Sequence, residues 1–213
     1  MTLILDSLSI YKHVNHEPLF KNINARVEAG EVLAIMGASG CGKSTLLNAI
    51  AGHLSHDFYY SGEVILNLQK LNNIPVHQRQ VGILFQDDLL FPHLSVWENL
   101  AFALPNSIKG KLRKAEALQA LTKIKLVQLA NHFPAQLSGG QRARISLIRM
   151  LVAKPKLVLL DEPFSKLDKA LRSEFRDWVF QTIAEAKVPC ILVTHDIDDV
   201  PLNGQLLSWS VAC

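Results

Sequence analysis

Long apolar runs are missing from this 213-residue chain, and nothing in it approaches the roughly 18 consecutive residues a membrane-crossing helix requires. Cysteine is scarce as well. Cys41, Cys190 and Cys213 are too few and too scattered for a disulfide framework. Strong charge of either sign is absent: the net charge is +3 and no lysine/arginine-rich tract occurs, so no nucleic-acid partner is expected. There is no internal repeat and no low-complexity tract. The N-terminal MTLILDSLSIYKHV has no positive charge ahead of its short apolar stretch and no small-residue cleavage site, so it reads as a strand rather than a signal peptide. What remains is a globular composition, 49% hydrophobic and 19% charged, of a length suited to one well-cored domain in the cytosol.

The most informative stretch is GASGCGKST: Gly37, Ala38, Ser39, Gly40, Cys41, Gly42, Lys43, Ser44 and Thr45. EVLAIM before it reads as a buried strand and LLNAIA after it as a helix. A glycine-rich loop between strand and helix lines up backbone N–H groups at a helix N-terminus, which is an anion site. The residue types assign roles. N–H groups from Gly40 to Ser44 wrap a phosphate chain, Lys43 puts a compact positive charge on the terminal phosphates, and the Ser44 hydroxyl is placed for Mg²⁺. Cys41 lies inside this loop beside Lys43 and is expected to be a reactive thiol.

Further along, residues 2–36 read as short strands with a turn near Asn15–Pro18, and 63–68 and 81–86 as two more strands. From 88 to 154 the pattern turns helical. Ser95-x-x-Glu98 is a capping box, 109–129 a longer helix, and 139–153 another. LVLL (157–160) and CILVT (190–194) are apolar throughout, as strands covered on both faces are. Between them Leu171, Phe175, Trp178, Val179 and Ile183 recur at helical spacing behind Asp168 as N-cap, and 206–211 reads as a last strand. Strands alternating with helices imply an α/β fold with a mostly parallel sheet.

Three further sites lie where ligands of such sheets bind, or resemble the first. Asp161 and Glu162 directly follow LVLL, at a strand's C-terminal end. Beside a phosphate loop they divide into a Mg²⁺ ligand, Asp161, and a base for an attacking water, Glu162. LSGGQ places Ser138, Gly139, Gly140 and Gln141 at a helix start. Ser138-x-x-Gln141 is also a capping box, so a plain helix start is the local alternative. Each glycine, however, costs up to about 1 kcal/mol against alanine in a helix, which points to something approaching bare backbone. Gln86 and His195 end two further strands at the same sheet edge. His53 and His56 lack additional ligands at metal spacing.

Together GASGCGKST, Gln86, LSGGQ, LVLLDEP and His195 resemble, in order and spacing, the ATP-binding subunits of ABC transporters over nearly the whole chain. QDDLLFPHLSVWENLAFAL and LSGGQRARISLIRML look like the importer type, in a short form. The resemblance implies one domain over residues 1–213. A P-loop NTPase lobe (1–87 and 155–213) carries a mostly parallel sheet and an N-terminal antiparallel β subdomain, and an α-helical subdomain (88–154) is inserted into it. It also implies ATP and Mg²⁺, and a head-to-tail homodimer in which the phosphate loop of one chain and LSGGQ of the other close over one nucleotide. In that picture Tyr11 stacks on adenine, and Lys43, Ser44, Gln86 and Asp161 hold phosphates and metal. Glu162 is the base, Ser138 and Gly140 reach across the dimer, Ser165 to Asp168 link the two sites, and His195 is the switch. The partners implied are integral membrane permease subunits and, indirectly, a solute-binding protein, with the subunit peripheral on the cytoplasmic face of the plasma membrane.

Two departures stand out. The linking loop reads SKLD, with Lys166 where a small residue is usual. Only residues 196–213 follow His195, interrupted by Pro201, so no C-terminal regulatory domain is expected. Transport-independent relatives in repair or on ribosomes fit less well, since they carry a long coiled-coil insertion or two cassettes per chain. Finally, Leu89, Leu90, Phe91 and Leu94 form an apolar cluster in a loop, which suggests a partner surface.

Overall fold

In LILDSLSIYK burial alternates at Leu3 and Leu5, shifts phase at Ser7, and resumes at Leu8 and Ile10, so that these four are all buried. This segment is strand β1 (Leu3–Lys12). It is followed by β2 (Pro18–Val27), β3 (Val32–Gly37), helix α1 (Lys43–Ala51), β4 (Phe58–Leu66), β5 (Gln69–Lys70) and β6 (Val81–Leu84). The computed structural model describes residues 1–38, 40–85 and 87–209. β1 is an inner strand of an antiparallel sheet ordered β2-β1-β4-β5. Its pairing with β4 slips between Asp6 and Ser9, opposite Gly62. A Cβ on Gly62 would lie 2.5 Å from the Ser7 carbonyl oxygen, and its φ is 87°, so only glycine lets the two backbones meet there.

The second sheet has the order β6-β7-β8-β3-β9, with β7 (Leu157–Asp161), β8 (Cys190–Thr194) and β9 (Gln205–Trp209). The pairings β3–β8, β3–β9 and β7–β8 are parallel. Every residue of β7 and β8 is buried, which explains their unbroken apolar sequences. On α1, Leu46, Leu47 and Ile50 have no exposed surface, each worth about 1.5–3 kcal/mol of apolar burial. The far end of α1 is held by a residue the sequence did not announce. Arg79, 7% exposed, donates from Nη1 to Ile50 O at 2.9 Å and Ala49 O at 3.4 Å, and from Nε to Ile74 O at 2.8 Å. A guanidinium there satisfies the last helix carbonyls and complements the negative end of the helix dipole.

The chain divides into two compact units, Met1–Ile83 with Lys156–Glu162 and Val179 onward, and Leu84–Pro155 with Pro163–Trp178. The second thus begins at Leu84 and includes 163–178. It contains α2 (Val96–Ala103), α3 (Lys111–Lys123), α4 (Gly139–Val152) and the beginning of α5 (Lys169–Ala186). The capping box at α2 forms: the Glu98 carboxylate accepts the Ser95 N–H at 2.8 Å and its hydroxyl at 2.5 Å. These bonds, the hydroxyl's first, hold the Glu98 carboxyl below its usual pKa. The expected helix over 109–129 is shorter. It stops at Lys123, and Lys125 adopts a left-handed φ of 56° before a single turn at Val127–Leu129. Strand β4 begins at Phe58 rather than Glu63. Among the described residues no helix is long and apolar enough to cross a membrane.

Candidate functional site

Strand β3 delivers Gly37 to the C-terminal edge of the parallel sheet, and the loop turns there into α1. A Cβ on Gly37 would sit 2.8 Å from Trp209 O and 2.9 Å from Cys41 Sγ, so the turn closes only around a bare backbone. Gly42 caps α1 in the left-handed conformation at φ 91°. Lys43 is 5% exposed, and its Nζ donates to Gly37 O at 2.7 Å and Ala38 O at 2.9 Å. The loop thus wraps an ammonium with its own carbonyls, while Gly40 and Ser44 are exposed and Thr45 is half-buried. Cys41 is 8% exposed, with Sγ 4.0 Å from Lys43 Nζ. The thiol expected to be reactive thus lies beside the lysine ammonium but with little exposed surface. Ser39 lies outside the described residues, as do Gln86 and Cys213.

Two strands along, β7 ends in Asp161, 8% exposed. Burial pushes its pKa up. A hydrogen bond from the Ser44 hydroxyl opposes this, the neighbouring Glu162 carboxylate adds to it, and Lys43 opposes it again. Glu162 follows with a left-handed φ of 47°, its N–H bonded to Val193 O at 2.9 Å. A non-glycine residue held there is locally strained, as is common where a side chain must be aimed. Its carboxylate Oε1 lies 3.1 Å from His195 Nδ1, with the glutamate side chain 17% and the histidine 53% exposed. His195 follows Thr194, whose hydroxyl donates to the buried Asp199 carboxylate at 2.9 Å and accepts the Asp196 N–H at 3.1 Å. That anchor fixes the end of β8 from which the histidine projects. Tyr11 and Tyr59 are register partners on β1 and β4, and their rings stack at 5.1 Å. Tyr59 went unremarked in the sequence because only the strand pairing brings it beside Tyr11.

In the second unit, Ser138 caps α4. Its Oγ accepts the Gln141 N–H at 3.3 Å, and the Gln141 Oε1 accepts the Ser138 N–H at 2.9 Å. Both polar side chains of LSGGQ are thus engaged in their own helix cap. The two glycines differ. A Cβ on Gly140 would meet Leu167 Cδ2 at 3.2 Å and Lys166 O at 3.6 Å, whereas one on Gly139 would meet only Arg142 Nη2, at 3.9 Å, among the described residues. The close neighbour of Gly140 is therefore the SKLD loop. Asp168 caps α5 through Oδ1 to the Leu171 N–H at 3.0 Å. Among the described residues no cluster of three or more His, Cys, Asp or Glu is arranged for a metal ion.

A lysine-bearing glycine loop at a strand–helix junction, a buried carboxylate touching its serine, and a glutamate paired with a histidine on the adjoining strand ends define a P-loop ATPase. The family model described as ABC transporter matches residues 20–165, and the chain belongs to that family. It is 48% identical over 195 residues to the uncharacterised ABC transporter ATP-binding protein YnjD of Escherichia coli K12, covering 90% of each chain. It is 40% identical to a Haemophilus influenzae Fe(3+) ions import ATP-binding protein, FbpC, matching 92% of this chain but only 56% of that one. It is 41% identical to a Neisseria meningitidis sulfate/thiosulfate import ATP-binding protein, CysA, with 93% and 56% covered. The chain thus spans little more than half the length of those two relatives. Among solved structures, the dimeric ATP-binding cassette MJ0796 in a post-hydrolysis state with ADP and Pi superposes with a TM-score of 0.78 at 32% identity, covering 93% of this chain and 90% of that one.

Proposed function

We propose that this chain is the ATP-hydrolysing subunit of a solute importer, working as a head-to-tail homodimer on the cytoplasmic face of the membrane beneath separate permease subunits, which a solute-binding protein supplies. The observation that carries the composite site is the state of Ser138 and Gly139: an exposed cap residue followed by a half-buried glycine whose Cβ position has, among the described residues, only the tip of Arg142 within 4 Å. Such a terminus attracts a phosphate, and the phosphate loop of a second copy brings one.

In this reading Tyr11 offers its ring to adenine, and the loop amides with Lys43 hold the phosphates. Ser44 and Asp161, with Gln86, hold Mg²⁺. A hydroxyl and one buried carboxylate are hard-oxygen donors of the kind Mg²⁺ takes alongside phosphate oxygens and water. The ion supplies charge neutralisation on the phosphates as the bond to the γ-phosphoryl breaks. Glu162 accepts the proton of the attacking water, and His195, 3.1 Å from it, orients that carboxylate and senses the terminal phosphate.

The permease contact falls on the 89–94 loop. Asn99, fully buried, accepts the Phe91 N–H at 2.9 Å and donates to Phe91 O, Leu94 O and Ser95 O, so the loop is pinned from below. On its outer side Leu89 is 58% and Phe102 68% exposed, with the half-buried Phe91 ring edge-on to Phe102 at 4.9 Å. A rigid loop with an apolar outer side suits a short amphipathic helix.

Mixing inactive Lys43→Ala with inactive Ser138→Ala protein tests the composite site, because each heterodimer regains one complete site. Recovery of ATPase activity on mixing, together with specific activity that rises with protein concentration, is the expected result. No recovery over the accessible concentration range would sink it.

A further inference from the structure

Asp88 is held by three groups of the second unit. Its carbonyl oxygen accepts the Ser146 hydroxyl from α4 at 2.5 Å. Its carboxylate Oδ2 accepts Arg142 Nε at 3.1 Å, and Oδ1 lies 3.8 Å from Lys166 Nζ. Arg142 in turn donates from Nη1 to the carbonyl of Leu137, the first residue of LSGGQ, at 2.7 Å. One carboxylate therefore gathers three segments: the loop two residues after Gln86, the first turn behind LSGGQ, and the SKLD loop. The Asp88 side chain is 15% exposed against 37% for Arg142 and 39% for Lys166.

We propose that Asp88 is an ionic hub that fixes the 165–168 loop against the start of α4, and that Lys166 is a positioning residue of the ATPase acting through it. The contact at Gly140 shows what the hub holds. Leu167 Cδ2 and the Lys166 carbonyl occupy the space a Gly140 side chain would need, 3.2 and 3.6 Å from where its Cβ would sit, so drift of the loop changes the surroundings of that helix start. Lysine suits the task. Its compact charge acts at 3.8 Å without the directional demands of a guanidinium, while Arg142 supplies the directed bond. A single exposed ion pair contributes little to stability, but two cations on one largely buried carboxylate form a network that sets geometry. A geometric error of about 1 Å at a reacting centre costs up to about 10²-fold in rate. Loss of the hub is therefore felt in turnover rather than in melting temperature.

The proposal rests on the composite-site reading, and its test keeps the two separable. Steady-state ATPase kinetics and melting temperature are measured for Lys166→Met, Lys166→Arg, Asp88→Asn and the double variant Asp88→Asn/Lys166→Met. Lys125→Met, which breaks the exposed Lys125–Glu174 ion pair of the same unit, is the control. Lys166→Met and Asp88→Asn are each expected to lower kcat about tenfold, with the KM for ATP and the melting temperature close to wild type. The double variant should be no slower than either single one, Lys166→Arg should keep most of the rate, and Lys125→Met all of it. A wild-type kcat in Lys166→Met, an additive double variant, an Arg variant as slow as Met, or an equally slow Lys125→Met each overturns the hub. If the Lys43→Ala/Ser138→Ala mixture recovers activity while Lys166→Met is unchanged, the hub fails and the composite site stands. If the mixture stays inactive, the composite site falls and the hub with it.

Discussion

Replacing Gly139 by alanine separates two reasons for opening a helix with glycine. If the chain's own fold demanded glycine, an added methyl would clash or force a forbidden backbone angle. Neither holds: Gly139 has no left-handed φ, and among the described residues the methyl would meet only the tip of Arg142, 3.9 Å away. The Ser138–Gln141 cap is untouched by the change. Alanine is favoured over glycine by up to about 1 kcal/mol inside a helix, and roughly half of that is reasonable in a first turn. For a chain of this size each kcal/mol moves the melting midpoint by about 2–4 °C, so Gly139→Ala should melt about 1–2 °C higher than wild type. The composite site demands the opposite for activity. A methyl on the backbone that faces the phosphates of a second chain should lower ATPase at least about tenfold, a loss of about 1.4 kcal/mol. Differential scanning fluorimetry and a coupled ATPase assay, run on one preparation at several protein concentrations, read both numbers. Unchanged turnover alongside raised stability would show that nothing approaches Gly139, and the functional account of that glycine would be abandoned. Gly140→Ala is the companion case. Its methyl would press on Leu167 at 3.2 Å, so the helix-propensity gain should be offset and the midpoint should not rise.

Other perturbations probe different links. Glu162→Gln keeps the shape but cannot take a proton, so it should bind ATP, run as an ATP-bound dimer on a sizing column, and turn over about 10²–10⁴-fold more slowly; near-wild-type turnover removes Glu162 as the base. Phe91→Ala should weaken assembly with a permease while costing the isolated subunit only about 1 kcal/mol, because the ring is half-buried against Phe102 and Arg149. A loss of about 3–5 kcal/mol, as for a fully buried phenylalanine, would instead make it a staple of its own unit. Arg79→Met should destabilise by about 3 kcal/mol in denaturant unfolding, since it strips a guanidinium from the last carbonyls of α1. Full stability in that variant would mean those carbonyls find water instead.

What could be read from the sequence was what is local. The phosphate loop announces itself through glycine spacing between a strand and a helix. The caps at Ser95, Ser138 and Asp168 need only partners three residues away, and LVLL and CILVT carry their two-sided burial in their own composition. The residues that escaped notice depend on pairings distant along the chain. Arg79 matters because 49 and 50 end a helix beside it, Tyr59 because β1 and β4 are in register, and Asp88 because Arg142 and Lys166 converge on it. The burial of Cys41 is of the same kind: its neighbours in sequence are small or charged, and only packing encloses the thiol. Lys166, noticed only as a departure from pattern, acquires a partner once the loop after Gln86 is in place.

The strand that carries the phosphate loop, β3, has both of its sheet neighbours, β8 and β9, drawn from residues 190–209. On the ribosome, the glycine loop emerges long before anything can pair with the strand behind it. Such non-local pairing is slow, and it requires residues 190–209 to be present. A truncated product keeps GASGCGKST in its sequence yet lacks the flanks that set Gly37 against Trp209. The strand order therefore ties the frame of the glycine loop to segments more than 150 residues further along the chain, one of which also presents His195.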